Sequence, residues 1–299
     1  FCISDLLIHL AQEQMAKNAK DVVEGEALNL IVGGRPLAGE EKDAVKANVL
    51  KLLDDKYGVE EEDFLSAELE IVPAGKARDM GFDRSMILGY GHDDRVCAYP
   101  SMMAVLDYEG TPDYTLCCII TDKEEIGSVG ATGMASHYLE NTVAELYACT
   151  ADYCELAVRR CLRNSRMLSS DVSAGYDPNF ASAFEKKNSA FLGRGICFNK
   201  FTGSRGKSGS NDANPEFMAS LRKIMDDAGV AFQTAELGRV DLGGGGTIAY
   251  LCAKYGMNVI DSGIAVLSMH APYEIISKVD LYEGYRCYCA FLKGAKPVD

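Results

Sequence analysis

The chain has 299 residues, 47% of them hydrophobic, which is enough to build a full core in one large domain or two. Its formal net charge of −14 and the lack of a basic patch interleaved with aromatics argue against a nucleic-acid partner. No apolar run approaches the roughly 20 residues needed to span a bilayer, which argues against a membrane protein. The eleven cysteines are odd in number. Cys117, Cys118, Cys197, Cys252 and Cys289 sit in apolar segments, so reduced core thiols in a cytoplasmic protein are expected rather than a disulfide framework.

Residues 1–82 have a character of their own. A short apolar start contains His9, the run from Ala27 to Val32 reads as a strand closed by Gly33 and Gly34, and Lys42 to Tyr57 shows helical spacing with Gly58 as its C-cap. Ala67, Leu69 and Ile71 then alternate with polar residues as a half-buried strand would. We read this part as a smaller β-rich module with one helix. From residue 83 to 299 apolar strands and helices alternate, the pattern of an α/β domain.

Within that larger part, Gly91 to Arg95 forms an acid-rich turn after the apolar Met86, Ile87 and Leu88. Cys117 to Thr121 reads as a buried strand that delivers two adjacent carboxylates, Glu124 and Glu125, followed by Gly127. Taken alone, such a pair is more often a solvated surface turn. At a strand end, however, like charges repel and need a positive neighbour. A divalent metal would use one carboxylate as ligand and leave the other as general base. Tyr138 to Leu162 is mostly helical, and Met167 to Val172 is a strand ended by Asp171.

Ile196 to Phe201 is again a strand, and the Gly–Ser stretch behind it fails the phosphate-loop pattern because Phe201 stands where glycine is required. Asn214 and Pro215 open a helix that runs to Gly229. The glycine run ending in Gly245, Gly246 and Thr247 precedes a helix, and reads either as a tight turn or as a set of amide donors for a ligand. The last strand, Ile264 to Met269, delivers His270. Four strand ends or their turns thus carry Asp93, Glu125, Asp171 and His270, a donor set suited to two divalent cations sharing a bridging carboxylate.

Asp93-Asp94-Arg95, Glu124-Glu125-Ile126-Gly127-Ser128, Ser169-Ser170-Asp171 and Leu267-Ser268-Met269-His270 match, in order and spacing, the motifs of the M18 metallo-aminopeptidases, and the chain resembles that family through nearly all its length. The resemblance implies a zinc-peptidase-like α/β catalytic domain with a central mixed sheet flanked by helices, plus the smaller insertion as a dimerisation module. It implies two divalent metal ions, zinc or else cobalt or manganese. Asp93 would bridge them, Glu125 and His270 would complete one, Asp171 would bind the other, and Glu124 would be the general base. It further implies that Lys200, with Gly245 and Thr247, lies in the substrate pocket, where a cation would suit an acidic N-terminal side chain. His9 would reach the active site of a neighbouring subunit, which requires a homo-oligomer built on dimers. The family takes one more metal-binding histidine from a segment before the insertion, and of the four histidines here, His92 and His137 match no ligand position; that ligand is expected upstream of Phe1. The expected function is release of N-terminal residues from peptides. A metal-dependent amidohydrolase acting on N-acyl amino acids and a non-catalytic assembly subunit are the alternatives.

Overall fold

A computed structural model describes residues 1–204, 208–239, 241–245 and 247–296. Part of the Gly–Ser stretch (Arg205, Gly206 and Lys207) and Gly246 of the glycine run lie outside the described residues. The chain divides into two units, Phe1–Val72 and Pro73–Asp299. The boundary falls earlier than the one expected near Phe82, because the segment just before Phe82 joins a sheet of the second unit.

In the first unit β1 (Cys2–Ile3) and β2 (Leu30–Ile31) pair antiparallel, with the short helix α1 (Gln12–Met15) between them in the sequence. The helix expected from Lys42 forms as α2 (Ala44–Tyr57), ended by Gly58 in the left-handed region, where a side chain would be strained. The strand expected over residues 67–71 does not form. Leu69 and Ile71 are exposed, and an alternating run becomes a strand only when another strand lies alongside to take its hydrogen bonds.

The second unit opens with β3 (Arg78–Met80) and β4 (Met86–Gly89), followed by helix α3 (His92–Leu106). The helical stretch expected over residues 138–162 appears as α4 (Tyr138–Ala148) and α5 (Glu155–Asn164). Then come β5 (Arg166–Ser170), β6 (Ser173–Ala174), β7 (Ile196–Asn199) and a hairpin of β8 (Phe201–Ser204) with β9 (Ser208–Asp212). Helix α6 (Pro215–Ala228) is capped by the Asn214 side chain, which accepts from the Glu216 amide at 3.0 Å. The chain finishes with β10 (Phe232–Thr234), α7 (Ala249–Ala253), β11 (Asn258–Gly263), β12 (Ala265–Leu267), β13 (Glu274–Ser277) and α8 (Lys278–Gly294). No helix among the described residues is long and apolar enough to cross a membrane.

Two mixed sheets result, ordered β10-β7-β11-β5 and β3-β4-β13-β12-β6. Because side chains alternate along a strand, neighbouring residues of β11 serve opposite layers. Ile260 packs with Phe198, Phe217, Leu221, Met225 and Tyr288 beneath α6 and α8, whereas Val259 packs with Ala249, Cys252 and Met134 beneath α7. The α/β architecture with helices on both faces of a mixed sheet is the expected one.

The two sheets are stitched by strands that pass from one into the other. β5 continues through Asp171 into β6, and β11 continues through Ile264 into β12. At this crossing the Asp171 amide donates to the Ser262 carbonyl at 3.2 Å and the Ser173 amide donates to the Ile264 carbonyl at 2.9 Å. The backbones come so close that a Cβ on Gly263 would stand 1.7 Å from the Asp171 carbonyl oxygen. Gly263→Ala is therefore expected to force the strands apart and to lower stability in urea denaturation by about 1–3 kcal/mol or more, the range of overpacked cores; a variant as stable as the parent would show that the crossing yields freely.

Candidate metal centre

The crossing places Asp171 between the sheets, and the other acid-bearing segments converge on it. Gly91, in the left-handed region, turns the chain out of β4. Asp93 and Asp94 then depart from helical backbone angles before α3 becomes regular. The Asp93 amide donates to Glu274 Oε2 at 3.0 Å. On the neighbouring side, β12 ends in a turn in which Ser268 and His270 both take positive φ, and the His270 amide donates to Glu274 Oε1 at 2.9 Å.

Glu124 and Glu125 lie on a single 3-10 turn, Glu124–Ile126, bounded by Lys123 and Gly127 in the left-handed region and closed by the Ser128 amide on the Lys123 carbonyl. The buried strand expected ahead of them is absent. Residues 117–121 pair with no strand among the described residues, Cys117 is exposed and Ile120 is 59% exposed. An apolar, β-branched run gives no ladder without a strand beside it. The remaining thiol expectation holds for Cys197 and Cys252, which are buried, and all the cysteines are unpaired.

His270 Nε2 stands 3.0 Å from Asp93 Oδ2 and 3.3 Å from Glu125 Oε1. Two groups each bring their donor atoms within 4.8 Å, Asp93 with Glu125 and His270, and Asp93 with Asp94 and Asp171. Asp93 belongs to both, the place a bridging ligand must take. The carboxylates strain against one another. Burial first, then the Glu125 charge, pushes Asp93 up to about 6 despite His270. Burial and Asp171 push Asp94 up to about 9. Burial, then Asp93, Glu124, Asp261 and Glu125, push Asp171 well above the carboxylate range. Half-buried Glu124 is also raised, by burial and then by Glu125. Asp94 Oδ1 is buried without a hydrogen-bond partner. Oxygen donors of this charge with one imidazole fit a divalent cation, whose charge would relieve each of these shifts.

The other expected residues are placed differently. His9 sits exposed on the turn Ile8–Leu10 of the first unit. Lys200 is exposed, and its ammonium pairs with Asp212 at 2.5 Å. Just before α7 the Thr247 hydroxyl accepts from the Ala249 amide at 3.3 Å, and it is 3.5 Å from that of Thr202. Half-buried Gly245 packs against Leu237. His92 is buried with Nε2 3.2 Å from the Ile87 carbonyl, and His137 pairs with Glu140 at the start of α4, so neither joins the acid cluster.

Sequence reading missed three acids. Asp94 was passed over as the neighbour of Asp93. Asp261, 3% exposed, lies inside β11 behind the apolar Val259 and Ile260, so no strand end marks it in the sequence. Glu274 opens β13 and carries no motif; only its two amide contacts reveal it.

In the metal-free fold Asp93 holds its proton below about pH 6 and Asp94 below about pH 9. The stability they contribute is fully present below their unfolded value near pH 4 and is lost as pH rises through about 6 for Asp93 and about 9 for Asp94. A divalent cation must displace those protons, so its affinity rises with pH. The melting-temperature gap between zinc-loaded and chelator-treated protein is accordingly expected to widen steadily from pH 5 to pH 8, measured by scanning fluorimetry; a gap that stays constant would mean that these carboxylates do not bind the ion.

Residues 1–292 match the family model described as aminopeptidase I zinc metalloprotease (M18). The chain is 60% identical over 293 residues to a probable M18 family aminopeptidase 1 of Clostridium acetobutylicum, covering 98% of this chain and 63% of that protein. The crystal structure of aminopeptidase I from Clostridium acetobutylicum superposes with a TM-score of 0.88 at 59% identity over 97% of this chain and 62% of that one. The structure of an M18 family aminopeptidase from Thermotoga maritima gives 0.91 at 44% identity over 98% and 64%. This chain thus spans just under two thirds of the length of these relatives, and with the family model matched from its first residue to Tyr-, Cys- and Phe-rich α8, it belongs to the M18 family of aminopeptidases.

Proposed function

We propose that the protein is a dinuclear metallo-aminopeptidase that releases N-terminal residues from peptides. The observation that carries this reading is the sharing of Asp93 between two donor groups, each of which gathers its own ligand atoms within 4.8 Å. Asp93, Glu125 and His270 would hold one ion, and Asp93 with Asp171 the other, with Asp94 in reach of the same donors. Zinc suits the mixture of imidazole and carboxylate, with cobalt or manganese as substitutes. When bound, the ions supply Lewis acidity at the scissile carbonyl and a nucleophile at neutral pH.

The protein's own groups divide the remaining work. Glu125 faces His270 and acts as a ligand. Glu124, raised by burial and by the Glu125 charge, is a stronger base than a solvated glutamate, and takes the proton of the attacking water before passing it to the leaving amine. Lys200, exposed and ion-paired with Asp212, would exchange that partner for an acidic N-terminal side chain of the substrate, and Gly245 and Thr247 would line the same pocket. His9 would serve the active site of a neighbouring copy in a closed homo-oligomer built on dimers. The unpaired thiols suit the cytoplasm.

In the intact protein, Glu124→Gln is expected to keep metal content near two ions per subunit, following the two-metal template, while lowering kcat on an aminoacyl reporter by about 10²–10⁴. Loss of metal together with activity would make Glu124 a ligand instead, and equal turnover of an N-acetylated substrate by the parent would point to a deacylase. Lys200→Met is expected to raise KM for Asp- and Glu-initiated peptides and leave neutral ones nearly unchanged; an equal loss on both classes would remove Lys200 from side-chain recognition.

A further inference from the structure

We infer that Glu274 is the positioning residue of the metal centre, joining the segments that carry Asp93 and His270 through their backbone amides. The inference rests on the proposed binding of metal by those two residues. β13 lies between β4 and β12, in register Glu274 opposite Gly89 on one side and Ile275 opposite Leu267 on the other. The chain leaving β4 at this end carries Asp93, and the chain leaving β12 carries His270. Glu274 is 2% exposed, and its carboxylate spans the gap between them, with Oε2 accepting from the Asp93 amide at 3.0 Å and Oε1 from the His270 amide at 2.9 Å. The ring closes at the other end, where His270 Nε2 stands 3.0 Å from Asp93 Oδ2.

Chemistry selects a carboxylate for this place. Two amides converge, both are donors, and both sit in backbone that ordinary helix or strand bonds do not satisfy: Asp93 departs from helical angles and His270 has a φ of 65°. A carboxylate offers an acceptor to each, whereas the glutamine side chain has one acceptor oxygen and would turn its own NH₂ toward the second amide. Aspartate keeps both oxygens but is one methylene short. Glu274 thus fixes where the two ligands start, without touching an ion.

The test is Glu274→Gln in the intact protein, with Glu283→Gln as control. Glu283 is another buried carboxylate, accepting from the Ala231 amide at 2.7 Å and pairing with Arg286. Zinc affinity is measured by competition with a chelating dye at a temperature at which circular dichroism shows each variant folded, alongside the melting temperature of the metal-free forms. Glu274→Gln is expected to weaken zinc binding by about 10–100-fold, the range for a lost supporting contact, while Glu283→Gln lowers the metal-free melting temperature with zinc affinity unchanged. Parent-like affinity of Glu274→Gln, or the same loss in both variants, overturns the positioning role and leaves the metal site standing. Failure of the parent itself to bind zinc overturns the metal reading and this inference together. If Glu274→Gln does not fold, Glu274→Asp is titrated instead, with the same weakening expected and parent-like affinity again contrary.

Discussion

Like-charge crowding is the constraint on which the larger unit depends. Asp93, Asp94, Asp171, Glu124 and Glu125 come from three separate stretches of chain and act on one another's charge, with a single imidazole, His270, facing Asp93 and Glu125. Two unit charges 4 Å apart cost roughly 4 kcal/mol at an effective dielectric of 20. A few such pairs would consume the whole stability of a domain, about 5–15 kcal/mol. The cluster therefore exists in one of two states, with protons on its buried members or with cations among them. The upward shifts of Asp94 and Asp171 describe the first state, and the donor set describes the second.

Holding the acids together against that repulsion falls to backbone geometry. The two strands that pass from one sheet to the other fix Asp171 at their crossing, where Gly263 removes the one Cβ that would keep the chains apart. Glu124 and Glu125 are held by a turn whose flanking residues, Lys123 and Gly127, both adopt positive φ. His270 also sits at positive φ, an uncommon conformation for a residue with a side chain. These positions are determined by hydrogen-bonded main chain and not by attraction among the side chains, which is the arrangement an acid cluster requires.

Much of this was legible in the sequence. The strands ending at Asp171 and near His270, the helix from Asn214 to Gly229 and the helical character of residues 138–162, though not its division in two, follow from apolar periodicity and capping chemistry. What failed was the pairing of strands. Residues 117–121 and 67–71 have strand composition, and composition cannot say whether a neighbour will lie alongside. For the site, the motifs located the carboxylates that face the cluster, but they were silent on Glu274 and Asp261. Those act from underneath, through backbone amides and through charge, and only three-dimensional contact reports them.

Burial alone does not separate a ligand from a prop; donors do. Glu274, Asp280 and Glu283 are all buried, and each is met by backbone amides: Asp280 accepts from Gly193 at 2.6 Å and Gly195 at 2.7 Å, Glu283 from Ala231, and Glu274 from Asp93 and His270. A buried carboxylate with such partners has its acceptors occupied and ties chain segments together. Asp94 has the opposite surroundings, with an oxygen that meets no donor and a second acid beside it. Asp261 stands between the two kinds. One oxygen accepts from the Thr202 hydroxyl at 3.2 Å, the other has no partner, and its charge acts on Asp171. Beneath the acid cluster, then, lies a further carboxyl group that the fold only half satisfies. Its field reaches Asp171 from inside the sheet, where solvent screens least, and it adds to the preference of that position for a cation over a proton-free, metal-free state.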